Sequence, residues 1–113
     1  MRAPHDIYAE RLAEGVIAYQ TCAGCAGAVF PPRLLCPLCG SDRLDWAASE
    51  GHGTVYSATV IPRRDGEPYN VALIDLDEGF RMMSTVLGVF GGEPEIGLRV
   101  RGTVVEQRVV FHA

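Results

Sequence analysis

The stretch Cys22-Ala23-Gly24-Cys25, followed after ten residues by Cys36-Pro37-Leu38-Cys39, decides how this chain is read. Two residues between cysteines let the backbone turn tightly, so both sulfurs aim at one centre while nearby amides donate to them. Two such knuckles facing each other make a tetrahedral site of four sulfurs, suited to Zn²⁺ or iron. Small residues fill the turns: Gly24 and Gly27 around the first knuckle, Gly40 after the second. A glycine after the second cysteine readily supplies a positive φ. The first knuckle has Ala26 at that place, with Gly27 one residue later, so its turn is expected to be the less regular of the two.

The paired spacing argues against other uses of the cysteines. A redox Cys-x-x-Cys of thioredoxin type occurs once, beside a βαβ unit, and no such unit is visible in the sequence. Catalytic zinc is disfavoured because four thiolates leave no open position for water. Iron in a rubredoxin-like centre fits the ligand type, but ten residues between knuckles is short for one. The reading is therefore structural zinc on Cys22, Cys25, Cys36 and Cys39, with iron as the alternative. Structural zinc contributes about 10–16 kcal/mol of apparent binding energy in small peptides. A ribbon this small cannot bury a core of its own, so the metal is expected to decide whether it folds.

Working outward, the whole chain of 113 residues is 48% hydrophobic and 21% charged, a globular composition. Ten basic against fourteen acidic residues give a net charge of -4, which opposes a general nucleic-acid binder. No apolar run approaches the ~18–20 residues of a membrane helix, and the start lacks the layout of a signal peptide. The expected setting is the cytoplasm, where cysteines serve metals rather than structural disulfides.

The expected architecture is mainly β: a helical lead-in over residues 1–18, a zinc ribbon over 19–48 and a five-stranded OB-type barrel over 49–113. His5 to Gly15 reads as a helix, with Asp6 as N-cap, Ile7, Ala9, Leu12 and Ala13 as a partial apolar face, and Gly15 as the stop. Val16 to Tyr19 reads as a strand entering the first knuckle, and alternation at Leu44, Trp46 and Ala48 as a strand leaving the second. The single Trp46 reads as a packing plug between ribbon and barrel.

In the barrel, the first strand runs from Gly53 to Ile61 and ends at Pro62. Arg63 to Pro68 is an exposed loop, and Tyr69 to Leu76 the second strand. Asp77-Glu78-Gly79 is a hairpin turn, and Phe80 to Val89 the third strand. Gly91 to Gly97 is a crossing loop, followed by strands at Leu98–Val105 and Val109–His112. Five short strands in a meander with one long crossing suit the OB barrel.

Several segments then carry a resemblance that covers nearly the whole chain. They are Leu12-Ala13-Glu14-Gly15, Tyr19-Gln20-Thr21-Cys22, Phe30-Pro31-Pro32-Arg33, Cys36-Pro37-Leu38-Cys39, Leu44 to Trp46, Gly51 to Ser57, and Ala72 to Gly79. In combination they resemble the family that joins a rubredoxin-like zinc ribbon to an OB-fold and is found alongside thiolases and other acyl-CoA enzymes. The resemblance implies an accessory subunit rather than an enzyme, associated with a thiolase-like, aldolase or hydratase partner and holding the CoA portion of an acyl-CoA. Arg33 beside the metal site, and Arg63 and Arg64 in the loop after the first barrel strand, are compatible with CoA phosphates. Two features depart from the family pattern: Ala26 in place of glycine, and a short helical lead-in, which bears on partner docking.

No motif for catalysis emerges. There is no glycine-flanked serine elbow, no His-Glu-x-x-His and no phosphate-binding glycine loop with lysine. His5, His52 and His112 are scattered, and a set such as Ser57, His52 and Asp65 has no distinguishing pattern. The competing reading is a single-stranded nucleic-acid module, since OB barrels and ribbons both bind single strands. It requires exposed aromatic residues on the barrel face, and Tyr56, Tyr69 and Phe80 are the candidates.

Overall fold

The computed structural model describes residues 3–66, 68–88 and 94–113, and shows one helix followed by nine strands among them. Helix α1 spans Pro4–Ala13. Pro4 lies in its first turn, where the missing N–H has no helical partner to lose. No side chain caps the helix; Asp6, expected as the N-cap, lies inside the first turn, where its charge complements the helix dipole. The helix ends at the expected glycine, with the Gly15 and Val16 amides donating to the Leu12 and Arg11 carbonyls.

The ribbon is a three-stranded antiparallel sheet in the order β2-β1-β3, formed by β1 (Ala18–Cys22), β2 (Ala28–Val29) and β3 (Leu44–Ala48). β1 starts two residues later than expected and runs directly into the first cysteine. Trp46 is half-buried on β3, opposite Gln20. The ribbon's own core is minimal: Cys22, Val29 and Cys36, with Leu44 packed against them. Two of those three buried residues are prospective metal ligands, so little apolar burial remains to hold the sheet without a metal.

The second sheet contains β4 (His52–Ile61), β5 (Tyr69–Leu76), β6 (Arg81–Ser84), β7 (Val86–Leu87), β8 (Arg99–Val105) and β9 (Arg108–His112). Its order is β6-β5-β4-β8-β9-β7. Because β6 and β7 follow one another through Thr85, the two ends of that order meet and the sheet closes into a barrel. The third strand, expected as one piece from Phe80 to Val89, is therefore split. β6 pairs antiparallel with β5, whereas β7 pairs parallel with β9 on the other side of the barrel. One straight strand cannot serve both neighbours, so the chain bends at Thr85 and the barrel has six strand segments, not five. Buried Asn70 holds this bend: its Nδ2 donates to the Val86 carbonyl, and its Oδ1 accepts from the Val86 amide and the Thr85 hydroxyl. The expected end of the strand at Val89, Glu67 of the polar loop, and Gly91-Gly92-Glu93 of the crossing loop lie outside the described residues.

β4 pairs with β5 on one side and β8 on the other, with a bulge between Val55 and Ser57. The bulge makes Tyr56 the extra residue of the ladder and leaves it exposed. β5 matches its expected bounds, and Asn70, Ala72, Ile74 and Leu76 alternate inward.

Ribbon and barrel share one core. Ile17, just before β1, is buried with Val55, Ile74, Val100 and Phe111 of the barrel. Tyr19 stacks on Phe80 with ring centroids 4.7 Å apart, and Phe30 lies 5.3 Å from the same ring. The close approach depends on Gly102, whose amide donates to the Gly51 carbonyl at 2.7 Å. A Cβ at Gly102 would sit 2.9 Å from the Phe111 ring and 3.2 Å from Ile17. Glu78 in the β5–β6 turn pins the ribbon's exit, accepting from the Ser49 hydroxyl at 2.8 Å and the Glu50 amide at 2.9 Å. No described helix is long and apolar enough to cross a membrane.

Candidate metal centre

The two knuckles are built alike. In the first, the Cys22 amide donates to the Gly27 carbonyl at 2.9 Å, and the Ala26 amide to the Cys22 carbonyl at 2.8 Å. In the second, the Cys36 amide donates to Ser41 and the Gly40 amide to Cys36, both at 2.8 Å. The Gly24 amide points at the Cys22 sulfur at 3.3 Å, and the Leu38 amide at the Cys36 sulfur at 3.4 Å. Ala26 takes φ 62° where Gly40 takes 79°, so the expected irregularity of the first turn does not arise. The alanine adopts the left-handed conformation, held there by the same hydrogen bonds, and carries its strain.

All four sulfurs lie within 4.8 Å of one another. Cys22 and Cys39 are 3.6 Å apart, and Cys25 and Cys36 3.8 Å. A tetrahedron with Zn–S bonds of about 2.3 Å has sulfur–sulfur edges of about 3.8 Å, so the four thiols fit Zn²⁺. Cys22 and Cys36 are buried while Cys25 and Cys39 are exposed, which sets the centre at the surface with one sulfur of each knuckle facing inward. The cradle is tight: a Cβ at Gly27 would lie 2.6 Å from Leu38 Cδ1 and 3.3 Å from the Cys25 sulfur.

The thiols differ in acidity. The Cys25 backbone amide, helped by the Gly24 amide and by Cys39 and Cys25 thiols, pulls the Cys22 thiol down to about 6. At Cys39 the Ser41 amide favours the thiolate, but the crowding sulfurs of Cys22 and Cys25, with burial, outweigh it and push the thiol up to about 12. Four thiolates at these separations require a cation among them, and a divalent metal supplies it.

The three arginines expected to meet CoA phosphates occupy different surroundings. Arg33 has an exposed side chain, but its peptide groups are fixed by the buried carboxamide of Gln20. Arg63 lies over the Tyr69 ring at 4.7 Å and lines a cleft of about 740 Å³ on the barrel. Arg33 and Arg64 are not among the described residues lining that cleft, and Arg64 is exposed. The aromatic platform a nucleic-acid module needs is also altered. Phe80 is buried in the core, and each of the exposed Tyr56 and Tyr69 rings carries a guanidinium on one face, from Arg81 and Arg63 respectively. Among the described residues no side-chain hydrogen bond joins Ser57, His52 and Asp65.

Sequence reasoning missed Gln20, Asn70 and Glu78 as organisers. The signal for the first two was present: each is a polar residue at an inward position of an alternating strand.

Comparison with known proteins agrees with this geometry. Residues 9–45 match the family described as ChsH2, rubredoxin-like zinc ribbon domain, and residues 46–105 that described as ChsH2, C-terminal OB-fold domain. A probable enoyl-CoA hydratase alpha subunit of Thermomonospora curvata is 39% identical over 74% of this chain and 28% of its own length. A DUF35 domain-containing scaffold protein of Methanothermobacter thermautotrophicus is 33% identical over 67% of this chain and 62% of its own. The chain thus spans less than two thirds of the length of either relative. A solved structure described as Ltp2-ChsH2(DUF35) aldolase is 30% identical, with a TM-score of 0.81 over 99% of this chain and 95% of that one.

Proposed function

The chain belongs to the ChsH2 family of joined zinc ribbons and OB-folds, and we propose that it is a non-catalytic, zinc-binding accessory subunit of an acyl-CoA enzyme of aldolase, hydratase or thiolase type. The observation that carries this reading is the likeness along almost the full chain to the structure of an aldolase whose description pairs Ltp2 with ChsH2. Relatives named as scaffold proteins support a role in assembly. The hydratase alpha subunits align through only 28% and 30% of their lengths, so this chain corresponds to one part of each.

The chain's own chemistry supports the same reading. A zinc held by Cys22, Cys25, Cys36 and Cys39 has no open position for water or substrate, so it shapes the ribbon rather than reacting. The lead-in 1–18, ribbon 19–48 and barrel 49–113 then act as one scaffold through their shared core. Acyl-CoA is held at its phosphates by exposed guanidinium groups of Arg33, Arg63 and Arg64, each a charge-assisted donor. The proposed setting is the cytoplasm.

Co-expression of the tagged chain with an Ltp2-type aldolase, followed by size-exclusion chromatography and metal analysis, tests the proposal. The expected result is a co-eluting complex containing zinc. Separate elution from aldolase, hydratase and thiolase partners alike would refute it.

A further inference from the structure

We propose that the cleft along the seam between β6 and β9 binds an aliphatic chain carrying an anionic head group. β6 is laddered to β5, and β9 to β8, but the β7–β9 ladder begins only at Phe111. Between β6 and the first half of β9 the barrel wall is bridged by the Ser84 hydroxyl donating to the Val109 carbonyl. The cleft of about 740 Å³ opens along this seam, with Tyr8 of α1 and Phe30 of the ribbon on its wall. That volume falls in the range of small-molecule sites.

The lining chooses the ligand class. Tyr69, Met83, Leu87 and Val105 are four of the nine large hydrophobic side chains exposed among the described residues, and all four line this cleft. Such a concentration of exposed apolar surface marks a binding face. Three of the neutral polar side chains of the lining are already engaged: the Ser84 hydroxyl donates to the Val109 carbonyl, and the Thr85 hydroxyl to the Asn70 carboxamide oxygen. The interior therefore favours an aliphatic body over a polar one. Arg63 and Arg108 line the cleft without a carboxylate partner among the described residues, whereas Arg81 and Arg99 are paired. Glu106 is the one acid described in the lining, so the cleft is net positive on a chain of charge -4. Arg63 lies over the Tyr69 ring at 4.7 Å, and Arg108 precedes Val109, whose carbonyl accepts from Ser84 next to Met83, so the two cations flank the lining from different segments of the chain. Either cation offers a head-group contact.

The assignment deepens the accessory-subunit reading and rests on it only for the choice of acyl ligands. Calorimetry on the zinc-loaded full chain tests it with octanoate, decanoate, decanoyl-CoA, CoA alone and decyltrimethylammonium. Decanoate, decanoyl-CoA or both should bind, the pair telling a free acid from a thioester as source. Affinity should rise about fourfold per added methylene, and the ammonium should bind at least tenfold more weakly. Met83→Glu, at an exposed position, should weaken binding tenfold or more, and Arg63→Glu with Arg108→Glu should do likewise for the anionic ligands, with zinc content unchanged. Affinity independent of chain length, CoA alone matching decanoyl-CoA, or equal binding of the ammonium would overturn the assignment. Partner co-elution is scored separately: its loss with chain-length dependence intact refutes the accessory reading and leaves the cleft, and the converse does the reverse.

Discussion

The carboxamide of Gln20 grips the peptide groups of Arg33 on both sides: the Arg33 amide donates to Oε1 at 2.7 Å, and Nε2 donates to the Arg33 carbonyl at 3.0 Å. Gln20 is buried at the centre of the ribbon sheet, so this one side chain ties the segment between the knuckles to β1. It fixes where the second pair of cysteines begins. Gln20→Ala should lower the stability of the zinc-loaded protein by about 1–3 kcal/mol, because both bonds are lost from a buried site. Denaturant unfolding measures this, and a change within error would show that the clamp adds nothing.

The strain at Ala26 makes a reciprocal pair of variants informative. Its φ of 62° nearly matches that of Gly40, but with a Cβ present. Ala26→Gly should stabilise the zinc-loaded protein by about 1 kcal/mol, and Gly40→Ala should destabilise it by a similar amount. Thermal unfolding of the two variants, each with its zinc content measured, decides this. Destabilisation by Ala26→Gly would mean that backbone entropy outweighs the relieved strain.

Much of this fold is legible from spacing alone. The Cys22–Cys39 segment announces its site because ligand geometry leaves few solutions, and Tyr69–Leu76 reads as a strand because its flanks carry loop and turn residues. The break at Thr85 is not legible. Met82, Met83, Val86 and Leu87 form one continuous β-favouring run, and the bend comes from barrel closure, a non-local constraint. Asp6 looks like an N-cap by residue type, yet Pro4 starts the helix earlier. The cleft is invisible for the same reason as the bend: Met83, Leu87 and Val105 meet only once β6, β7 and β8 are folded around the barrel.

Asn70 should prove the fastener of that closure. It supplies three hydrogen bonds to Thr85 and Val86 from a buried position. Asn70→Ala leaves the Val86 peptide groups unpartnered and should cost about 1–3 kcal/mol. Hydrogen exchange should show the Val86 amide losing protection in the variant while ribbon amides keep theirs. Unchanged exchange at Val86 would contradict the assigned role.

Acid sensitivity should include a contribution from the pair Arg99–Asp77. Both Arg99 terminal nitrogens donate to the Asp77 carboxylate at 2.8 Å, and these bonds hold its carboxyl below the ordinary 3.8. A carboxyl lowered in the folded state lends stability that is fully present above its unfolded value of about 3.9 and is lost as pH falls through the lower folded value. Exposure and salt keep the effect small. Asp77→Asn should therefore lower stability slightly near neutrality, where the pair is intact, and flatten the profile below about pH 4, where the parent protein loses that contribution. An identical acid limb in the variant would remove Asp77 from the account.

The central claim is that this chain serves an acyl-CoA enzyme without performing the chemistry. Acyl-CoA turnover should be measured for the zinc-loaded chain alone, for an Ltp2-type aldolase alone, and for the two combined at equal concentration. The account predicts no turnover by the chain alone and a rate for the mixture well above that of the aldolase alone. Turnover by the isolated chain, or a mixture no faster than the aldolase by itself, would contradict it.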